Sequence, residues 1–444
     1  MKVARIGSMR HAFPPSYYGG TERSMVQMTI YQAATCAHDI TLYGPTESEI
    51  INYADDISKK LCLATEVDNK LNKILIRNAD DRIGSIKLRT TGHKAIGYES
   101  SNNNNLNDLL FNLLIEDENK SPFDIIHCHL KNQAVKKLFP GSLGYKTLVH
   151  NHGTLLNEYK TYHFPIICIS HSQARILKKK YGAIIYDVIH HGLDPFTYKA
   201  TSEHAGYLAW VGRFMDRKGA FESIMIAKKV EKPLIIAGTI KNYYKNSERY
   251  FDKKIKPNID IIDLSLLDRI SGFPANQIKH EIKLLCDQAG TTSPIIYVGP
   301  VNDNQKQILL GNALGTLFPV KWNEPFGRVM IESMACGTPV IGYTRVGTVF
   351  CGSVEEVVEN GITGFHVNAR NDEDAISKAV DCILRLPELD RSRIRKVFER
   401  DWSSERMARQ IDAAYKRCLA EPITILPGKR HQSNKWIRLF SLFK

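Results

Sequence analysis

Two carboxylates, Glu324 and Glu332, stand eight residues apart in the segment Trp322-Asn323-Glu324-Pro325-Phe326-Gly327-Arg328-Val329-Met330-Ile331-Glu332. The apolar run Thr316 to Val320 before them reads as a buried strand, and Phe326 to Cys336 reads as a helix closed by Gly337. Glu324 is therefore expected on a loop at the carboxyl end of a strand. Glu332 falls two turns into the helix, about 10 Å away by helical rise. Pro325 lacks an N–H and presets φ, which suits a helix start, while Gly327 lets a ligand approach the backbone closely. That span fits a nucleotide sugar. One carboxylate would accept hydrogen bonds from the sugar hydroxyls and the other from the ribose, with the free amides of the helix start between them. The same spacing also occurs on ordinary helices that carry one exposed and one N-terminal glutamate, so the flanking residues must decide.

Other groups with chemistry lie where strands run into helices. Arg213 follows Val211-Gly212, and Lys218-Gly219 comes five residues later. Two cations there can hold a diphosphate, Arg213 as a bidentate fork and Lys218 as a point charge. Gly19 and Gly20 end the loop Pro14-Pro15-Ser16-Tyr17-Tyr18 and open a helix. Read locally, they are either a helix start that receives phosphate or sugar oxygens or a tight turn capped by Thr21.

Histidines gather at His127-Cys128-His129, His150-Asn151-His152, His171 and His190-His191. Alternate strand residues share a face, so His127 and His129 could meet one metal and Cys128 could not. Hydrogen-bonded structural roles suit most of these rings, and no metal is expected. Asp372-Glu373-Asp374 imitates a D-x-D metal site, but acids at a helix start complement the helix dipole. Nor are Glu324 and Glu332 a glycosidase pair, because both come from one loop-helix unit and not from the two sides of a scissile bond.

The elements that must position these groups alternate between short apolar strands and helical stretches, the pattern of parallel sheets built from βαβ units. Strands are expected at Val3 to Met9, Asp39 to Tyr43, Phe123 to His129, Thr147 to His152, Pro165 to Ser170 and Asp187 to His191. A second series follows at Tyr207 to Arg213, Pro233 to Ala237, Ile295 to Val298, Thr316 to Val320, Val340 to Tyr343 and Gly364 to Val367. The series restarts after the polar stretch Asp194 to Glu203. Two doubly wound α/β domains, 1–195 and 204–400, would then face each other with strand carboxyl ends lining a cleft. A helix over 401–420 and a basic tail over 421–444 complete the division. Ser101 to Asn105 reads as a surface loop, and 260–294 as a surface insertion.

At 444 residues the chain is too long for one ordinary core. A content of 43% hydrophobic and 24% charged residues is that of a soluble globular protein, and no apolar run approaches the length of a membrane span. Met1 to Gly7 reads as a strand entering a loop and not as a signal peptide. Nine cysteines without a C-x-x-C pair fit a reducing cytoplasm. The net charge of +13 calls for an anionic partner, namely nucleic acid, a membrane surface or phosphate-bearing substrates. No zinc-finger spacing, aromatic RNA-binding signature or helix-turn-helix is present, so nucleic acid is not expected.

The stretch from Leu317-Phe318-Pro319 through Glu324 and Glu332 to Cys336-Gly337-Thr338-Pro339-Val340-Ile341 resembles the E-x7-E region of retaining glycosyltransferases of the GT-B fold, specifically glycosyltransferase family 4. The resemblance extends from Met1 to Ala420, with specific motifs at the first loop, His152, Arg213 and Lys218, and Glu324 to Gly364. It implies metal-independent, cofactor-free transfer of a hexose from a nucleotide diphosphate sugar to a hydroxyl acceptor with retention of configuration. By the same resemblance His152, Arg213, Lys218 and Glu324 are catalytic, with His152 touching the transferred sugar. Gly19, Gly20, Arg213, Lys218, Glu324, Pro325, Phe326, Gly327 and Glu332 would bind the donor, and His191-Gly192-Leu193-Asp194 would act as a hinge. The helix Ser404 to Ala420 after Trp402 is similar to the family's terminal helix, which crosses back onto the first domain. The stretch Tyr343 to Val354 departs from the family by being longer than its usual Gly-rich loop. A glycan or lipid-linked acceptor in cell-surface polysaccharide or glycolipid synthesis is the expected setting. Two other readings are a non-catalytic sugar-nucleotide or glycan-binding protein of the same fold and a nucleic-acid binder that uses the positive charge.

In the tail, Trp436, Leu439, Phe440 and Phe443 recur at helical spacing beside Lys435 and Arg438. Residues 429–444 are either an interfacial helix for the inner face of an anionic membrane or a tail docked on the protein or disordered.

Overall fold

The computed structural model describes residues 1–8, 11–15, 19–95, 106–130, 143–153, 165–240 and 246–423, and 103–105 by their backbone. The tail 429–444 and the loop residues Ser16, Tyr17 and Tyr18 lie outside the described residues.

The first sheet has nine strands: β1 Lys2–Ile6, β2 Asp39–Gly44, β3 Ala64–Asp68, β4 Lys73–Arg77, β5 Ile83–Thr90, β6 Ile125–Cys128, β7 Thr147–Asn151, β8 Ile166–Cys168 and β9 Ile185–Val188. Their order is β3-β4-β5-β2-β1-β6-β7-β8-β9. Only β3–β4 and β4–β5 pair antiparallel. The second sheet contains β10 Leu208–Val211, β11 Leu234–Ala237, β12 Ile261–Ile262, β13 Ile295–Tyr297, β14 Gly315–Phe318, β15 Val340–Val346, β16 Val349–Phe350 and β17 Gly364–Ala369. Its order is β12-β13-β11-β10-β14-β15-β16, with β17 also on β15.

Both sheets are wound outward from an inner strand. From β1 the chain goes to β2 on one side and later to β6 on the other, and β10 sits likewise between β11 and β14. Such reversals open a crevice at the strand carboxyl ends. Strands β6, β7, β11 and β14 are buried along their whole length, which is why they read as continuous apolar runs without alternation.

The first core lies on two faces of its sheet. One face is covered by the helix Gly20–Cys36 together with the returning helix Ser404–Ala420. Met407, Ala408, Ile411, Ala414, Tyr415 and Cys418 supply the buried stripe of that last helix, at spacings of three and four. Trp402 belongs to the core of the second domain, and Ser403 pairs as a β-bridge with Leu193, so the chain re-enters the first domain beside the point where it left.

Several expectations are corrected. The helix after Glu324 starts at Arg328 and not at Phe326, because Gly327 precedes it at φ +80, a left-handed conformation outside the helix. Strands β3, β4 and β5 were not expected; β3 is largely exposed, and β4 lies between it and β5 in a ribbon at the sheet edge. Residues 260–294, expected as a surface insertion, are ordered against the edge of the second sheet. They supply edge strand β12 and the helix Ala275–Ala289, which buries Ile278, Ile282 and Leu285. Asn103 to Asn105 open the helix Asn103–Lys120 and are not loop. The strand expected at Asp187 to His191 runs instead from Ile185 to Val188. Tyr343 to Val354 forms the β15–β16 hairpin, turned at Gly347.

Candidate active site

Glu324 stands on the loop after β14, and its backbone is fixed from two directions. Its N–H donates to the Trp322 carbonyl at 2.7 Å, and its own carbonyl accepts the Ser353 amide at 3.2 Å. It also pairs with Gly352 as an isolated parallel bridge. Gly352 has φ +86, and a Cβ there would lie 2.2 Å from the Glu324 carbonyl oxygen, so only glycine allows this approach. Ser353 Oγ donates to the Phe326 carbonyl at 2.6 Å. The hairpin segment that departs from the family pattern therefore braces the loop carrying Glu324, Pro325 and Phe326.

Lys218 reaches this carboxylate from the loop after β10, the strand next to β14. Its Nζ lies 2.5 Å from Glu324 Oε2, with side chains 15% and 11% exposed. Trp210 Nε1 holds the Lys218 carbonyl at 3.1 Å, and Lys218 and Arg217 lie 5.2 and 4.0 Å from the centroid of Trp322. Burial pushes the Lys218 ammonium below its usual pKa, and Glu324 opposes that fall, while Arg213 and Arg217 add to it. Arg213 stands half-buried just past β10, close enough to act on the Lys218 charge.

Glu332 is 5% exposed and faces different partners. Lys306 Nζ is 3.1 Å from one carboxylate oxygen and Arg328 Nε is 3.7 Å from the other. Arg328 reaches across to the first domain, where it donates to Ser24 Oγ at 2.6 Å. Lys306 also approaches Asp303, and Asp303 pairs with Arg23. The chain Arg23–Asp303–Lys306–Glu332–Arg328–Ser24 thus begins and ends on the helix Gly20–Cys36. Burial alone would raise the Asp303 carboxyl, but Lys306, Arg23 and Tyr198 outweigh it and hold the group below its usual value. A Cβ at Gly20 would lie 3.4 Å from Arg328 Cδ, so the glycine loop abuts the Glu324–Glu332 unit.

His152 follows β7 in a stack of rings. It lies 4.3 Å from His150 and 5.2 Å from His191 between ring centroids, nearly parallel to His191, and its Nε2 is 2.7 Å from His129 Nδ1. His191 meets Phe326 edge-on at 5.0 Å, which joins the histidine stack to the second domain. His127, His129 and His150 place ligand-type atoms within 4.8 Å of one another. Burial pushes all three imidazoles well below their usual pKa, and the cation Arg5 adds to that fall.

The structure therefore brings Lys218 to Glu324, Gly20 to the Glu332 helix, and His152 to Phe326 through His191. Arg328, Lys306, Asp303 and Glu356 were not singled out from sequence, and His129 was taken only as a structural histidine. Glu356 accepts the backbone amides of His171 and Ser172 at 2.7 and 2.5 Å and pairs with His190 at 3.1 Å, a further contact between domains. Arg328 had a signal, since it follows Gly327 within the spacing. The others carry no local pattern. Asp372–Asp374 opens the helix Asp372–Leu384, capped by Asn371.

Residues 199–400 match the family model "Glycosyl transferases group 1". An uncharacterized glycosyltransferase of Methanocaldococcus jannaschii is 26% identical over 197 residues, which is 44% of this chain and 44% of that protein. The first two curated relatives are spanned over only 22% and 44% of their own lengths. Among solved structures, sucrose-phosphate synthase from Thermosynechococcus elongatus aligns with a TM-score of 0.61 at 15% identity over 95% of this chain and 99% of that one. HepE from Anabaena, solved with UDP and glucose, aligns with a TM-score of 0.57 at 14% identity over 94% and 100%. The chain has the GT-B fold, and its second domain matches the group 1 glycosyl transferases.

Proposed function

We propose that the protein is a retaining glycosyltransferase of family 4 that moves a hexose from a nucleotide diphosphate sugar to a hydroxyl acceptor. The observation that carries this reading is the Lys218–Glu324 contact at 2.5 Å, which joins the diphosphate motif of one strand end to the sugar motif of the next. Lys218 and Arg213 would stabilise charge developing on the leaving diphosphate. Glu324, with the amides of Phe326 and Gly327, would hold the sugar, and Glu332 the ribose. Gly19 and Gly20 would admit the phosphates at the start of the helix Gly20–Cys36. His152, its ring fixed by His129 and His191, would contact the transferred sugar. The leaving phosphate oxygen would take the acceptor proton on the same face, which preserves configuration.

Proton NMR of the product formed from an α-linked donor should show an α-linkage, and a β-linked product would contradict retention. Initial rates should persist when divalent ions are chelated; a loss restored by manganese would contradict metal-independent transfer.

The acceptor is a glycan or a lipid-linked sugar of cell-surface polysaccharide or glycolipid synthesis, worked on from the cytoplasmic side. Among the described residues no helix is long and apolar enough to cross a membrane. Residues 429–444 would supply a peripheral contact. Deleting them should abolish salt-sensitive binding to anionic vesicles and spare turnover on a soluble acceptor, and undiminished vesicle binding would rule the tail out.

A further inference from the structure

At the far end of the helix whose start faces the cleft, three side chains of different chemistry converge. Cys36 is the last residue of the helix Gly20–Cys36, His38 follows after Ala37, and Asp412 projects from the returning helix Ser404–Ala420. Ala37 takes a left-handed conformation at φ 54, and the His38 amide caps the Gln32 carbonyl at 3.3 Å, a turn that brings His38 back beside Cys36. One ligand-type atom from each of the three residues lies within 4.8 Å of the other two.

His38 Nε2 and Asp412 Oδ1 form a buried contact at 2.9 Å that is poorly aligned for a hydrogen bond, and His38 Nδ1 has no hydrogen-bond partner among the described residues. The imidazole is 3% exposed, so solvent does not satisfy it. A buried imidazole nitrogen left so is destabilising, and an ion that it ligates would satisfy it. The other Asp412 oxygen is held by Lys416 at 2.8 Å, which orients the carboxylate and leaves Oδ1 toward His38.

We propose that Cys36, His38 and Asp412 form a three-ligand site for a Zn2+-class divalent ion, with water in the fourth position. Sulfur, imidazole nitrogen and carboxylate oxygen are the donors such an ion takes. Tetrahedral bonds of about 2.0–2.3 Å separate ligand atoms by about 3.3–3.6 Å, so the His38–Asp412 pair at 2.9 Å must open slightly, while Cys36 closes from within the 4.8 Å limit. Binding releases the Cys36 thiol proton to solvent as the sulfur–metal bond forms. One thiolate and one carboxylate neutralise the ion, which the neutral histidines of the first domain cannot do. Lys416, Arg409, Arg5 and the Met1 amino group are the cations near the site, and they face a neutral complex. The helix has 17 residues, which puts the site about 24 Å from Gly20 by helical rise. Its role is to fasten the returning helix to the first domain, apart from the transfer chemistry.

The full chain, stripped with chelator and desalted, is titrated with Co2+. The proposal expects a thiolate-to-metal absorption band that saturates at one equivalent, disappears on Zn2+ addition, and is absent in Cys36→Ser and Asp412→Asn. Zn2+ should raise the melting temperature of the wild type and protect Cys36, but not exposed Cys62, from iodoacetamide as read by peptide mass spectrometry. The wild-type measurements stand even where a variant fails to fold. No thiolate band, a band retained in Cys36→Ser, or equal alkylation of Cys36 with and without Zn2+ would overturn the site and leave a His38–Asp412–Lys416 ion pair.

Discussion

Lys218 Nζ lies 2.5 Å from Glu324 Oε2, so the cation assigned to the diphosphate and the carboxylate assigned to the sugar share one buried contact. Glu324 therefore helps to keep Lys218 charged. Burial lowers the Lys218 pKa and Glu324 raises it, so Glu324→Gln should lower it further. The alkaline loss of kcat/KM for the donor should then move to lower pH in Glu324→Gln. An alkaline limb unmoved from wild type would separate the two residues functionally.

Lys218→Ala and Arg213→Ala should each cut turnover by roughly 100-fold or more, because each removes charge stabilisation needed most in the transition state. The fold should survive, as a thermal melt would show. Turnover within a few-fold of wild type would remove the phosphate assignment.

A ribose held by Glu332 would use it equally before and during transfer, so Glu332→Ala should raise donor KM more than it lowers kcat. Glu324→Ala should affect both. Lys306→Met should resemble Glu332→Ala, since Lys306 sits 3.1 Å from the carboxylate and orients it. Steady-state kinetics on the three variants decides this, and an unchanged donor KM in Glu332→Ala would end the ribose role.

The contact between domains should be acid-labile. Asp303 and Glu356 are both held below their usual carboxyl pKa: Lys306, Arg23 and Tyr198 outweigh burial for Asp303, and His190 with two backbone amides for Glu356. A depressed folded pKa contributes stability above the unfolded values of about 3.9 and 4.3, and that stability is lost as pH falls through the lower folded values. Urea unfolding followed from neutral pH downward should show a shallower acid loss in Asp303→Asn than in wild type. Parallel curves would mean that Asp303 contributes nothing to acid lability.

The sequence made the central strands legible because parallel strands buried on both faces read as unbroken apolar runs, as at Ile125 to Cys128 and Leu234 to Ala237. The edge ribbon β3–β4 was not legible: β3 is polar and mostly exposed, and an edge strand is stabilised by its neighbour more than by its own pattern. At the candidate site, Glu324, Lys218 and Gly20 were picked out by local spacing together with the family resemblance. Lys306, Asp303 and the contact between His129 and His152 were not, because each depends on pairing between residues distant in sequence. The start of the helix after Glu324 was misjudged because Pro325 signals a first turn, whereas the φ of +80 at Gly327 delays it to Arg328.

The most direct test is release of free nucleoside diphosphate from a panel of nucleotide sugars by purified wild-type protein and Arg213→Ala. The account predicts that one donor base and sugar gives turnover, faster with a glycan or lipid-linked acceptor present, and that Arg213→Ala loses it by roughly 100-fold. Tight donor binding without nucleotide release by the wild type, across donors and acceptors, would contradict catalysis and leave a sugar-nucleotide-binding protein of the same fold.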